Sequence, residues 1–314
     1  MKPKKVAPLL VLAVIWGCYY VASQQTIKGF SEEGHMSQFP TGIIIRFITM
    51  ILLGVIMWRR DELKLLLKVQ GILPRLLMIG VLGFLLDITA FIGLSLSPAG
   101  SGTALLKTDI IFVNLISMMI YKTKFKKLDW LFSLVMLFGV FLVMGVDFTN
   151  FSIGNVGSIF FILSALFVSI NAFVIKSVQL DKHNPAADNV IAFYNNFVTM
   201  IFFIAAAIIH NDFSLIGKLS GDWKLVIAAL CAGLGQTGIY LVYYYDLRRF
   251  PVWIVKVFLL LMPIVSTLVS LVLFGEKMTI NQVLGMFVVL AGAFGILILQ
   301  KKKSEQGEDA MAGH

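Results

Sequence analysis

The chain has 314 residues, 59% of them hydrophobic and 14% charged, with a formal net charge of +9. Soluble domains carry about 45–50% apolar and about 25% charged residues, so an excess this large, spread over the whole length, marks an integral membrane protein and excludes a soluble domain. Cys18 and Cys231, both inside apolar runs, exclude a disulfide framework and a cysteine-ligated metal, and the scattered His35, His183, His210 and His314 form no metal-ligating pattern.

Lys2, Lys4 and Lys5 precede the first apolar run, which extends from Val6 to about Ile27. It is too long for a signal peptide and no Ala-x-Ala site follows it, so it reads as a first membrane helix. About 20 apolar residues span the hydrocarbon core. On that rule ten spans follow in order: 6–27, 38–58, 73–95, 101–121, 129–146, 154–176, 188–210, 224–244, 252–274 and 280–299. Lys and Arg concentrate in alternate segments. Arg59, Arg60, Lys64, Lys68, Arg75 and Lys122, Lys124, Lys126, Lys127 fall on the side of the N-terminus, and only Lys28, Lys218, Lys224 and Lys277 on the other. The positive-inside rule then places both termini in the cytoplasm and the protein in the cytoplasmic membrane. The same placement accounts for the net positive charge without nucleic acid. The polar end, 301–314, reads as a disordered cytoplasmic tail.

The stretch from Pro98, PAGSGTALLKTDIIFVNLISMMIYKTKF, has a counterpart of equal layout from Pro251, PVWIVKVFLLLMPIVSTLVSLVLFGEKM, at an offset of 153 residues; Gly139 and Gly292 keep that offset. Upstream the offset shifts to 148, which sets Arg46 against Tyr194 and Trp16-Gly17 against Ser164-Ala165. Each half thus holds five spans. Five is odd, so the second half enters the membrane from the opposite side. The expected fold is an all-α integral membrane protein, ten helices arranged as two inverted five-helix repeats around a central cavity. This architecture is one that secondary transporters use, with the solute near the midplane.

The segment MPIVSTLVSLVLFGEKMTINQVLGMFVVLAGAFGILI, with Pro263, Gly275-Glu276, Gly285 and Gly292, and Trp16-Gly17 in the first span, resemble the EamA family of the drug/metabolite transporter superfamily. The first half departs from the pattern: Lys122-Thr123 replaces Gly-Glu, and Ile110 stands opposite Pro263. The resemblance implies one EamA-like repeat over 1–147 and a second over 148–300. It also implies a cavity lined mainly by spans 1, 3, 4, 6, 8 and 9, and transport of small metabolites, often export.

Charges inside membrane spans are costly, so they are functional candidates by default. Asp87 and Lys107 each lie ten residues from Ser97, at matching depth about 15 Å from the expected turn if the helices are continuous, and a pair is expected there. Asp109, about 200° around the helix from Lys107, needs another partner, with Arg46 or cavity water as the alternatives. These four charges cancel, and the second half has Tyr240, Leu260 and Met262 at aligned positions, so the set belongs to one repeat. Lys256, five residues past Pro251, reads as a lysine snorkelling to the membrane edge. Trp16, Tyr20, Asn114, Tyr194, Gln236 and Tyr240 complete the candidate solute-binding set. Tyr19, Gln24, Asn171, Asn195, Asn196, Tyr243 and Tyr244 lie on the same spans, though tyrosines at span ends more often form the interfacial belt.

The expected function is secondary transport of a small polar solute, charged or zwitterionic, by alternating access, driven by protons or by exchange. Asp109 is the expected proton carrier. The expected partners are that solute, the bilayer and a coupling proton. No nucleotide-binding loop or metalloenzyme motif is present, so no cofactor, no metal and no enzymatic activity are expected. The competing readings are a membrane enzyme and an accessory or lipid-handling protein.

Overall fold

The structure, a computed structural model, describes residues 3–96, 106–122, 127–143, 156–274 and 279–312. Its helices are α1 (Pro3–Phe30), α2 (Gln38–Arg59), α3 (Leu73–Leu96), α4 (Asp109–Tyr121), α5 (Lys127–Val143) and α6 (Val156–Gln179). They continue with α7 (Asp188–Ile209), α8 (Trp223–Arg249), α9 (Val252–Leu259), α10 (Met262–Phe274) and α11 (Ile280–Ala312). Seven helices among the described residues are long and apolar enough to cross a membrane, the last of them running over α9 and α10; Asp109–Ile120 and Ile280–Gly295 are shorter apolar helices. The expected turn at Ser97 and Pro98, the Gly275-Glu276 pair and the loop 148–155 lie outside the described residues.

α2 shows why these helices belong in lipid. Phe47, Ile51, Val55 and Trp58, one stripe at helical spacing, are exposed, whereas Ile43, Arg46, Thr49, Leu53 and Met57 face inward. Water would penalise that outward stripe, and a hydrocarbon core does not. With little apolar driving force between helices in lipid, close packing of small residues has to hold the bundle together. α1 packs on α8, α3 on α6 and α7, α2 on α7 and α8, and α5 on α11. A Cβ on Gly17 would lie 2.7 Å from Val265 Cβ, on Gly80 2.4 Å from Val198 Cβ, and on Gly233 2.5 Å from Ile48 Cγ2. Gly139 and Gly285 bring α5 and α11 into near backbone contact.

The internal repeat has a structural counterpart. α2 ends with Asp61 in the left-handed region (φ 54°), with Glu62 N–H donating to Met57 O at 2.8 Å and Asp61 N–H to Trp58 O at 3.1 Å. α7 ends the same way at Asn211 (φ 61°), with Asp212 N–H to Ala207 O at 2.8 Å and Asn211 N–H to Ile208 O at 3.2 Å. Asp and Asn tolerate this conformation, and the bond that spans five residues, to Met57 O and to Ala207 O, returns the chain after each helix in the way of a Schellman motif. A 3-10 segment follows each corner, Leu63–Leu67 and Phe213–Ser220.

The two corners lie at opposite ends of α2. The first meets the loop before α7 and the start of α7: Asn189 donates to Glu62 at 2.5 Å, Asn184 to the Lys68 and Gln70 carbonyls at 3.1 Å each, and Tyr194 to the Leu66 carbonyl at 2.8 Å. The second meets the loop before α2: His35 pairs with Asp212 at 2.7 Å and Lys218 with Glu32 at 2.8 Å. α2 and α7 therefore run antiparallel. The Lys218 contact holds the Glu32 carboxyl below its ordinary range.

Two expectations change. Span 4 is not one continuous helix: Lys107 and Thr108 form a turn, and Ile111 N–H donates to Thr108 O at 2.9 Å. Span 9 breaks in the same way between α9 and α10 at Leu260 and Leu261, with Ile264 N–H donating to Leu261 O at 3.1 Å. The two breaks are 153 residues apart, the offset of the sequence repeat. The second change is at the C-terminal end, where α11 runs through the polar stretch to Ala312 instead of giving way to an irregular tail. Lys, Glu, Gln and Ala are good helix formers, and the apolar helix ahead of them is already nucleated.

Candidate functional site

A cavity of about 560 Å³ lies among helices of both halves. Of the expected set, Trp16, Tyr20, Arg46, Asp87, Lys107, Asp109, Gln236 and Tyr240 line it. Asn114 and Tyr194 do not. The Asn114 side chain is buried in the packed interior, and its amide meets no hydrogen-bond partner among the described residues. Tyr194 instead reaches the Leu66 carbonyl at the first corner. Tyr19, Tyr243, Tyr244, Asn171, Asn195 and Lys256 belong to the lining. Helices α2 and α7 contribute to it through Arg46 and Asn195, beyond the spans the resemblance implies.

The charges pair differently from the expectation. Arg46, near the middle of α2, donates to Asp87 of α3 at 2.9 Å and also to the Tyr240 hydroxyl of α8. Its backbone is anchored by Asn196, which donates to the Arg46 carbonyl at 2.8 Å. Asp109, at the first turn of α4, pairs with Lys256 of α9 at 3.0 Å. Lys107 reaches neither aspartate. Its ammonium lies 3.7 Å from the Met262 sulfur and 5.9 Å from the centre of the Tyr20 ring. The expected Asp87–Lys107 pair and the Asp109–Arg46 alternative are thus both replaced. Equal depth on two helices does not decide which cation reaches Asp87, and Arg46 of α2 reaches it.

Lys256 is the residue that the sequence argument gave away to the membrane edge. Its side chain is 2% exposed and faces inward, where Asp109 compensates it. Snorkelling is the wrong account because the short α9 packs against α4, α1 and α8, with no path for the side chain to the interface. The signal was present in the sequence, since Asp109 lacked a cation and Lys256 lay in an apolar run. With Lys256 added, the charge set spans both halves and comprises three cations and two anions.

Aromatic side chains form another part of the wall. Trp16 meets Tyr243 edge to face at 5.5 Å between ring centres, and Tyr240 lies 5.5 Å from Tyr244. Asn195 donates to the Tyr244 hydroxyl at 2.7 Å. Tyr243 and Tyr244 are buried and belong to the cavity wall, not to an interfacial belt.

The lining is lopsided. It continues past the ion pairs to Gln24, Ile27, Thr41 and Gly42, toward the end that carries the Lys218–Glu32 contact. In the other direction it stops at Tyr243, Tyr244 and Ile175. Beyond them lies a polar network. Gln179 donates to Asp188 at 2.8 Å and to the Tyr244 carbonyl at 2.7 Å. Arg248 donates to Asp188 at 2.7 Å, to the Gln179 carbonyl at 3.0 Å and to the Ala186 carbonyl at 2.6 Å. Lys176 caps α8 through the Leu247 carbonyl at 2.5 Å and the Phe250 carbonyl at 2.7 Å.

Comparison with protein families finds the profile of the EamA-like transporter family matching residues 5–145 and 155–298. Comparison with curated protein sequences returns no match. Among solved structures, one described as "Crystal structure of protein" is similar with a TM-score of 0.75 at 15% sequence identity, over 96% of this chain and 99% of that one. At that identity the likeness shows the fold alone.

Proposed function

The chain belongs to the EamA-like transporter family, and on that premise we propose that it is a secondary transporter moving a small charged or zwitterionic solute through the central cavity by alternating access. The observation that carries this reading is the cavity itself, walled by both matched segments and holding intramembrane charges contributed by each. Members of this family are transporters rather than enzymes.

The arrangement proposed is ten spans in two inverted five-helix repeats, at 1–147 and 148–300. It is supported by the antiparallel course of α2 and α7, by their equivalent terminal corners at opposite ends, and by helix breaks at the repeat offset in spans 4 and 9. Discontinuous helices near the midplane are a usual device for solute and ion sites in transporters with such repeats. The positive-inside rule assigns the Lys- and Arg-rich end, with both termini, to the cytoplasm of a cell whose cytoplasmic membrane holds the protein. The lopsided cavity then fits a conformation closed toward the cytoplasm and reaching toward the outside.

Alternating access requires the contacts around the cavity to change partners. Separating Asp109 from Lys256 would give a carboxylate able to take a proton, which makes a proton the first coupling ion to test. Purified protein in proteoliposomes is the test. A thermal-shift panel of acids, amines, amino acids and neutral polar solutes selects ligands by mass-action stabilisation. Saturable uptake or counterflow of a selected ligand is the expected result. Solute binding without flux across the bilayer, or lipid exchange in its place, would overturn the reading in favour of an accessory or lipid-handling role. Flux whose response to an imposed pH gradient survives Asp109→Asn would exclude Asp109 as the proton carrier.

A further inference from the structure

We propose that the solute is a monoanion and that Lys107 is the residue that holds its carboxylate. This deepens the transporter reading and rests on it.

Among the described residues five charged side chains line the cavity, and four of them are matched in two contacts: Arg46 with Asp87 at 2.9 Å and Lys256 with Asp109 at 3.0 Å. Lys107 is left over. Among the described residues its ammonium meets no carboxylate, only the Met262 sulfur at 3.7 Å and the face of Tyr20 at 5.9 Å. A thioether is a weak acceptor and a ring face is a partial substitute for an anion. Two neighbouring cations in this wall touch carboxylates directly; among the described residues Lys107 touches none and feels Asp109 only through space, while Asp109 is in contact with Lys256. A charge inside a membrane protein is retained for a partner or for a ligand, and Lys107 lines the cavity.

The backbone supports the same assignment. Lys107 occupies the turn that interrupts span 4, and Met262 opens α10 directly after the matching break in span 9. The free ammonium therefore sits where the two broken helices of the two halves face each other, the location at which a solute would be handed between them.

Charge balance selects the class. With Lys107 unmatched, the described residues of the lining carry one surplus positive charge, which a single carboxylate cancels. A cationic solute would add to the surplus. A zwitterion would bring an ammonium to a wall whose two aspartates are already engaged. A phosphate carries more than one negative charge at neutral pH and suits a forked guanidinium, but Arg46 is committed to Asp87 and Tyr240. The rings of Tyr20 and Trp16 leave an aromatic surface for the uncharged part of the molecule.

The experiment is binding by the purified full chain to matched probes: hexanoate, benzoate and phenylacetate against hexylamine, benzylamine and benzyl alcohol, with inorganic phosphate as a separate arm. The expected result is binding at least about tenfold tighter for a carboxylate than for its amine or neutral counterpart, since a desolvated charge pair contributes well over the 1.4 kcal/mol that a factor of ten represents. Lys107→Met should lose that preference and keep the melting temperature, because no internal ion pair is broken; Lys107→Arg should retain the preference. No carboxylate binding, tighter binding of amines, neutral probes or phosphate, or unchanged carboxylate binding in Lys107→Met would overturn the proposal. So would a large fall in melting temperature in both variants, which would assign Lys107 a structural role. Failure of the transporter reading is separate: carboxylate-selective binding that depends on Lys107 but gives no flux in proteoliposomes would leave the anion site standing and remove transport.

Discussion

Asp109 and Lys256 come from different halves of the chain and meet at 3.0 Å with side chains 12% and 2% exposed. Removing one partner of a buried pair leaves the other uncompensated, at about 3–5 kcal/mol, whereas removing both is far less harmful. Lys256→Met should therefore lower thermal stability in detergent sharply, and Asp109→Asn with Lys256→Met should recover most of the loss. Additive losses in that cycle would show that the contact carries no energy of its own. The individual charges were legible in the sequence, because any Asp or Lys within an apolar run stands out. Their pairing was not. Arg46 of α2 reaches Asp87 of α3 and Tyr240 of α8, and Lys107 lost its expected partner because Asp87 is already taken by Arg46. Counting residues from a loop presumes unbroken helices, and the site is built where that presumption fails. Tyr243 and Tyr244 illustrate the same difficulty: position along a span does not reveal which face of α8 is turned inward.

At the scale of elements, glycines set how closely the helices approach. A Cβ on Gly285 would lie 2.7 Å from the Gly139 carbonyl oxygen and 2.7 Å from Val143 N, both backbone atoms that cannot rotate away. Gly285→Ala should force α5 and α11 apart, lowering stability by about 1–3 kcal/mol, the usual cost of overpacking. Gly54 in α2 has open space around the same position. There Ala should be neutral or stabilising by about 0.4–1 kcal/mol, through the loss of backbone freedom in the unfolded chain. Melting curves of the two variants side by side check the contrast, and equal losses would deny the close contact between α5 and α11. The small residues and helix lengths were readable in advance, since periodicity and apolar length are properties of the local sequence. The contact partners were not. Gly139 aligns with Gly292 in the repeat, yet it packs against Gly285, because repeat alignment gives equivalence and not contact.

Across the whole molecule, the two ends are held unequally, and the alternating access proposed above would have to reverse that inequality. At the Lys- and Arg-rich end Arg75 donates to Asp181 at 2.5 Å, and the N–H groups of His183 and Asn184 donate to the same carboxylate at 2.9 Å each. The Arg75 bond first, then the two N–H bonds, hold the Asp181 carboxyl well below the usual carboxylate range. A lowered acid favours the folded arrangement above its ordinary value of about 3.9, and the contribution drains away as the pH falls through the depressed value. The contribution of Asp181 to closure of this end should accordingly be constant between pH 5 and 8, so that Asp181→Asn weakens closure by the same factor at both values, as read by labelling of cysteines placed behind it. The multi-pass helical class and the two family segments were visible from apolar length and the offset repeat, which need only counting; how each end is held depends on side chains that meet only in the folded bundle. Asp188 is the centre of that closure, accepting from both Gln179 and Arg248. Charge-assisted hydrogen bonds contribute about 1.5–3 kcal/mol each. Losing all three through Asp188→Ala should shift the balance between closed and open by about tenfold or more. Ile175, buried against the cavity just inside the network, is the reporter. In a background lacking Cys18 and Cys231, Ile175→Cys should react slowly with an impermeant maleimide applied to inside-out vesicles. Adding Asp188→Ala should raise that rate by the same factor, while labelling from the opposite face falls. Equal rates with and without Asp188 would mean that the network caps α8 without gating the cavity, and the closed end would then owe its closure to Tyr243, Tyr244 and the apolar packing beneath them.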